Sequence, residues 1–129
     1  MRSRLRLWSG AVLMCLLDAG LTLAGQSDAY WAGDRLAFRE ANPVAAWLLR
    51  THPAAFAVGA VLLALGYVVL VEWLPLRLAR PAASLTLLLH ALGASTWLIR
   101  YGPQGIVAAA ALLAAASWLL RWLWRDRRG

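Results

Sequence analysis

The stretch LWSGAVLMCLLDAGLTLAG, Leu7–Gly25, decides the fold class. It is apolar along nearly all its length and broken by a single acid, Asp18. A helix needs about 20 mostly apolar residues to cross a bilayer, and this run supplies them. Arg2, Arg4 and Arg6 before it, with Ala24-Gly25 at its end, would also suit a secretory signal peptide. The run is long for a signal peptide and carries a charge at its middle, so a retained helix is the expectation.

Three further stretches share this character: Pro53–Trp73, Pro81–Leu98 and Gly105–Trp122. Composition agrees, with 62% of the 129 residues apolar and 15% charged. Soluble domains run about 45–50% apolar and about 25% charged, so both departures favour lipid. The expected fold is an all-α integral membrane protein, a four-helix transmembrane bundle in one domain over residues 1–129. Residues 26–52 form its first outer loop. Pro53 and Pro81 sit where helices can begin, because proline at the first helical position loses no hydrogen bond. Tyr101-Gly102-Pro103 reads as a turn. Trp8, Trp73, Trp97, Trp118, Trp122 and Trp124 fall near predicted ends, where indoles favour the membrane interface.

The net charge of +7 comes from arginine alone on the basic side, and its distribution matters more than its size. Nine arginines (2, 4, 6, 77, 80, 121, 125, 127 and 128) fall on one side of the four spans. Arg35, Arg39, Arg50 and Arg100 fall on the other. The positive-inside rule then places both termini in the cytoplasm. The charge is a topology signal and a contact for anionic lipid headgroups, rather than a nucleic-acid footprint. Small residues on the second span (Ala57, Ala60, Ala64) and the fourth (Ala108, Ala111, Ala115) predict close helix packing within the bundle. A homodimer seam or a protein partner is the alternative use of such stripes.

Polar residues inside these spans are the informative ones. An ionised side chain at the bilayer centre costs about 2.5–3.5 kcal/mol on insertion scales. Asp18 lines up with Cys15, Thr22 and Gln26 on one helical face. His90 lies in the third span, with Thr86 a turn before it and Gly93 a turn after. At 1.5 Å per residue the two sit about 16 and 14 Å from the cytoplasmic side, so they could meet near the midplane. In the outer loop, Glu40-Ala41-Asn42-Pro43 precedes the apolar Val44–Leu49. Asn42 suits an N-cap with Pro43 at the first helical position. Val44–Leu49 is too short to span, and reads as an interfacial or re-entrant helix.

Asp18 and Thr22 followed by Glu40-Ala41-Asn42-Pro43 resemble an uncharacterised family of small prokaryotic multi-pass membrane proteins, a domain of unknown function. The resemblance covers roughly residues 16–73. In that family a basic residue often follows the phenylalanine early in the second span, whereas Phe56 here is followed by Ala57, Val58 and Gly59. The resemblance implies location in the prokaryotic cytoplasmic (inner) membrane and one shared site for Asp18, Thr22, Glu40 and Asn42. It implies no activity.

Three functional readings follow, the first favoured. One is a structural or assembly subunit whose buried polar residues specify helix pairing. Another is a metal or proton site of Asp18, Glu40 and His90, with His52 as an outer ligand, since carboxylate and imidazole suit several divalent metals. The last is a small cation/proton-coupled transporter, because four helices with one acid in the first resemble small multidrug exporters. Enzyme signatures are absent: no Gly-x-Ser-x-Gly, no Walker loop, no Gly-x-Gly-x-x-Gly. Ser95 and His90, five apart on one helix, point away from each other. Cys15, the only cysteine, rules out a disulfide framework.

Overall fold

The structure is a computed structural model and describes residues 2–125, with side chains from Arg4 onward. Asp126, Arg127 and Arg128, counted in the charge asymmetry, lie outside the described residues. All regular structure among the described residues is helical: α1 (Arg2–Ala24), α2 (Asp28–Trp31), α3 (Pro43–Thr51), α4 (Pro53–Trp73), α5 (Leu76–Leu98), a 3-10 turn over Ile99–Tyr101, and α6 (Pro103–Trp124). Four of these are long and apolar enough to cross a membrane, over Arg4–Ala24, Pro53–Trp73, Leu76–Tyr101 and Pro103–Trp124.

The third long helix departs from its expected bounds. It begins at Leu76, directly after Leu74-Pro75, and carries Pro81 inside it. Proline there cannot donate to the carbonyl of Arg77, but that carbonyl lies in the first helical turn, where water can reach it. The proline that does mark the boundary is Pro75, the N-cap residue.

Packing explains why four helices stay together with so little bulk between them. α5 is central: it packs against α1 on one side and α6 on the other, while α4 lies mainly on α1 and only lightly on α5. Its contact face is a ladder of fully buried residues, Ala79, Ala83, Ala91 and Ala94 with the single large Leu87 among them. The ladder meets Leu7, Ala11 and Met14 of α1 and Ala116 and Leu123 of α6 in one core. Methyl-sized side chains let backbones approach closely and gain dispersion contacts that bulky ones would prevent.

The anticipated alanine stripes hold only in part. Ala64 is buried on α4, but Ala108, Ala111 and Ala115 face outward on α6. The inward face of α6 is Gly105, Ala109 and Ala116, one position out of register with the stripe read from the sequence. At Gly105 the backbone carbonyl of Leu98 approaches so closely that no Cβ fits. Much of the outer surface is large and apolar, including Val58, Val61, Leu62, Leu65, Val69 and Leu70 on α4.

Residues 26–52 are tied down rather than loose. Ser27 caps α2 by accepting from the Tyr30 backbone N–H, and its hydroxyl donates to the carbonyl of Ala37 at 2.8 Å. The buried Tyr30 hydroxyl donates to the carbonyl of Leu49 at 2.8 Å, fastening α2 to α3. Loss of solvation pushes that phenol above its ordinary 10.0, while the nearby Arg35 guanidinium opposes the shift. Asn42 Oδ1 accepts from the N–H groups of Val44 and Ala45, so the expected N-cap with Pro43 behind it is formed. Leu48 of α3 then seats over Gly59 of α4, in space a Cβ would take. At the opposite end, Arg4 donates to the carbonyls of Val71, Glu72 and Leu74, satisfying the C-terminus of α4 from α1.

Candidate functional site

α1 presents Cys15, Asp18 and Thr22 at three- and four-residue steps, hence on one face. α5 presents His90, Gly93 and Trp97 at the same steps. These faces meet, and His90 Nδ1 lies 2.9 Å from Asp18 Oδ2. Which group carries the shared proton depends on the tautomer, and an ion pair or a neutral hydrogen bond fits the same geometry.

Gly93 makes the contact possible. A Cβ at that position would stand 2.7 Å and 2.9 Å from the two carboxylate oxygens of Asp18. The carboxylate therefore rests directly against the α5 backbone, one turn from the imidazole it binds. Cys15, one turn before Asp18 on the same α1 face, adjoins the same imidazole.

Asp18 and His90 open onto a cavity of about 870 Å³. All five polar residues singled out in the sequence, Asp18, Thr22, Glu40, Asn42 and His90, line it. Asp18 and His90 are 20% and 24% exposed, so the pair is open to that space rather than sealed between helices. The walls are apolar: Phe56, Ala60, Leu62 and Leu63 from α4, Leu48 from α3, and Leu89 and Trp97 from α5. Leu62, Leu63 and Leu89 are themselves well exposed on the outer surface. The cavity therefore reaches the surface between α4 and α5, where those helices touch only lightly.

The loop positions the rim. Gln26, buried at the end of α1, accepts from the Arg39 N–H at 2.7 Å and donates to the carbonyls of Arg39 and Thr22. This two-way clamp fixes the backbone immediately before Glu40. Gln26 was expected only as the end of a polar stripe; in the structure it sets where Glu40 sits.

The metal set expected of Asp18, Glu40 and His90 is not assembled. Among the described residues no three His, Cys, Asp or Glu side chains are grouped so as to hold a metal ion. The reason is local: Glu40 Oε1 turns to accept the Asn42 N–H at 2.8 Å, stiffening the turn before α3. His52 does not reach the cavity either, since its Nδ1 accepts from the Ala54 N–H as the N-cap of α4.

Sequence reasoning missed three contributors. Gly93 was noted only for position, though a glycine one turn from a mid-helix histidine is the signal for a close-packed partner. Trp97 was assigned to a helix end, yet it is 4% exposed, lies over Gly25 and walls the cavity. Phe56 carries a signal only through the family resemblance, and that signal concerns the residue after it rather than a cavity wall. Compared with known proteins, the chain matches no family model, no curated protein and no solved structure.

Proposed function

We propose that this chain is a multi-pass protein of the prokaryotic cytoplasmic membrane, with both termini in the cytoplasm, that binds a small lipophilic cation at Asp18 in exchange for a proton. The observation that carries this reading is the cavity of about 870 Å³ into which Asp18, Glu40 and His90 open. Ligand sites are typically apolar clefts of about 300–1,000 Å³ with a few convergent polar groups, and this one fits. Two carboxylates against one histidine favour a cation. Phe56 adds an aromatic face that attracts positive charge, whereas the Trp97 ring already lies under the Arg100 guanidinium at 4.0 Å. The opening between α4 and α5 suits a ligand that arrives through lipid, with its apolar part against Leu62, Leu63 and Leu89. Asp18 exchanges the cation for the imidazolium proton of His90, so cation and proton compete for one carboxylate.

The exposed leucines and valines of α4 and the arginine asymmetry support the membrane assignment and orientation. Convergence of Asp18, Thr22, Glu40 and Asn42 on one cavity supports treating them as one site. A second reading, the structural or assembly subunit, is favoured by the direct clasp of α1 to α5, since such bonds are worth about 0.6–2 kcal/mol in membranes.

Tetraphenylphosphonium binding to the purified protein separates the two. The binding reading expects saturable uptake that Asp18→Asn and Glu40→Gln each weaken while membrane abundance stays at the wild-type level. Loss of the protein itself in Asp18→Asn and His90→Ala, with no binding by wild type, would leave the clasp alone.

A further inference from the structure

His90 is a wall shared by two cavities. A smaller cavity of about 150 Å³ adjoins the large one: His90, Cys15, Leu63 and Leu89 line both, and Val12, Ala64, Tyr67 and Thr86 line the smaller one alone. A buried water needs about 10–15 Å³ of such space and two to four polar partners. The chamber exceeds that volume several times over. Its polar groups are the Tyr67 and Thr86 hydroxyls, the Cys15 thiol and the His90 imidazole. The Tyr67 hydroxyl is buried and makes no protein hydrogen bond of acceptable geometry, although Thr86 stands beside it. Buried hydroxyls are almost always satisfied, so an orphan one lining a chamber marks a solvent position.

We propose that water held in this chamber by Tyr67 and Thr86 makes His90 a proton relay between the two cavities. The inference rests on the proton-exchanging site described above and adds the route its proton takes. A proton arriving on Asp18 passes from Oδ2 to Nδ1 of His90, while Nε2 releases its own proton to the chamber water. One proton enters the imidazole and one leaves, no electrons move, and rotation of the ring restores the starting tautomer. The titratable groups facing His90 are Asp18 and Cys15 from α1 and Tyr67 from α4, with Glu40 next along the large cavity. α6 contributes no side chain to either cavity. Thr86 precedes His90 toward the α5 N-terminus, so the relay runs toward the cytoplasmic side in the proposed orientation.

Proton flux in liposomes containing a pH-sensitive dye tests the relay, with tetraphenylphosphonium binding measured in parallel on each variant. With tetraphenylphosphonium present as the counter-cation, the wild-type protein should dissipate an imposed pH gradient, and more slowly in D2O. Tyr67→Phe should lower the flux by up to about tenfold, as loss of one ordinary hydrogen bond does to a rate, with binding unchanged. Thr86→Val should act likewise and Thr86→Ser should restore flux. His90→Gln should abolish it. Wild-type flux in Tyr67→Phe and Thr86→Val, no flux in the wild-type protein, or no D2O effect would overturn the relay. Flux that follows the expected pattern without any tetraphenylphosphonium binding would overturn the cation reading alone.

Discussion

At the residue scale the site depends on a pair of side chains and the absence of a third. Asp18 reaches His90 because Gly93 leaves room for its carboxylate. Gly93→Ala should push the carboxylate off the imidazole and, with that competitor removed, strengthen tetraphenylphosphonium binding by about tenfold or more, the equivalent of one lost charge-assisted hydrogen bond. Serine at the same position carries the same Cβ and should act likewise, whereas Gly66→Ala, where a Cβ meets nothing, should bind like wild type. Equilibrium dialysis on the three variants checks this. Asp18 and His90 were legible in the sequence because charge in an apolar helix is conspicuous and their depths could be compared. Gly93, Trp97 and Tyr67 were not, since their roles exist only when another helix faces them. The metal grouping failed for a similar reason. Glu40 has the right chemistry and lines the right cavity, but its nearest hydrogen-bond donor is a backbone N–H two residues away.

At the scale of elements, most of what the chain does locally follows from caps and prolines. Asn42 and His52 each accept backbone N–H groups at the start of a helix with proline first, so α3 and α4 join with only His52 between them. Asn42→Ala should cost about 1 kcal/mol, read as a lower thermal midpoint in detergent, with Asn42→Asp restoring it. Tyr30 carries a pH dependence. Its folded-state pKa lies above the ordinary 10.0, so the stability it contributes is complete below that value and is lost as pH rises through the folded pKa. Protein melted across pH 9 to 12 should lose stability at the alkaline end, and Tyr30→Phe should flatten that loss. Helix existence was legible from hydropathy, and helix bounds were not. Pro81 does not mark a start, because proline is equally at home at the first position and in a terminal turn whose carbonyl has water. Alanine facing was misread on α6 because in a run such as Ala108–Ala111 every register offers small residues, and only the Leu98 carbonyl at Gly105 selects one.

For the whole molecule, the helices form an uneven set in which α1 and α5 make the spine, α6 backs it, and α4 with the outer loop closes a cavity in front. The proposed orientation places that loop outside. In a Cys15→Ser background, Ala32→Cys should react with a membrane-impermeant thiol reagent in intact cells, and Trp73→Cys only after lysis. The opposite pattern would invert the topology and the direction of the relay. The central claim is that one carboxylate in this cavity holds either a cation or a proton-bearing imidazole. Calorimetric titration with tetraphenylphosphonium in two buffers of different ionisation heat measures it most directly. The account predicts release of about one proton per cation bound, affinity that falls as pH is lowered, and loss of both in Asp18→Asn. Binding with no proton released, or equal binding by Asp18→Asn, would contradict it.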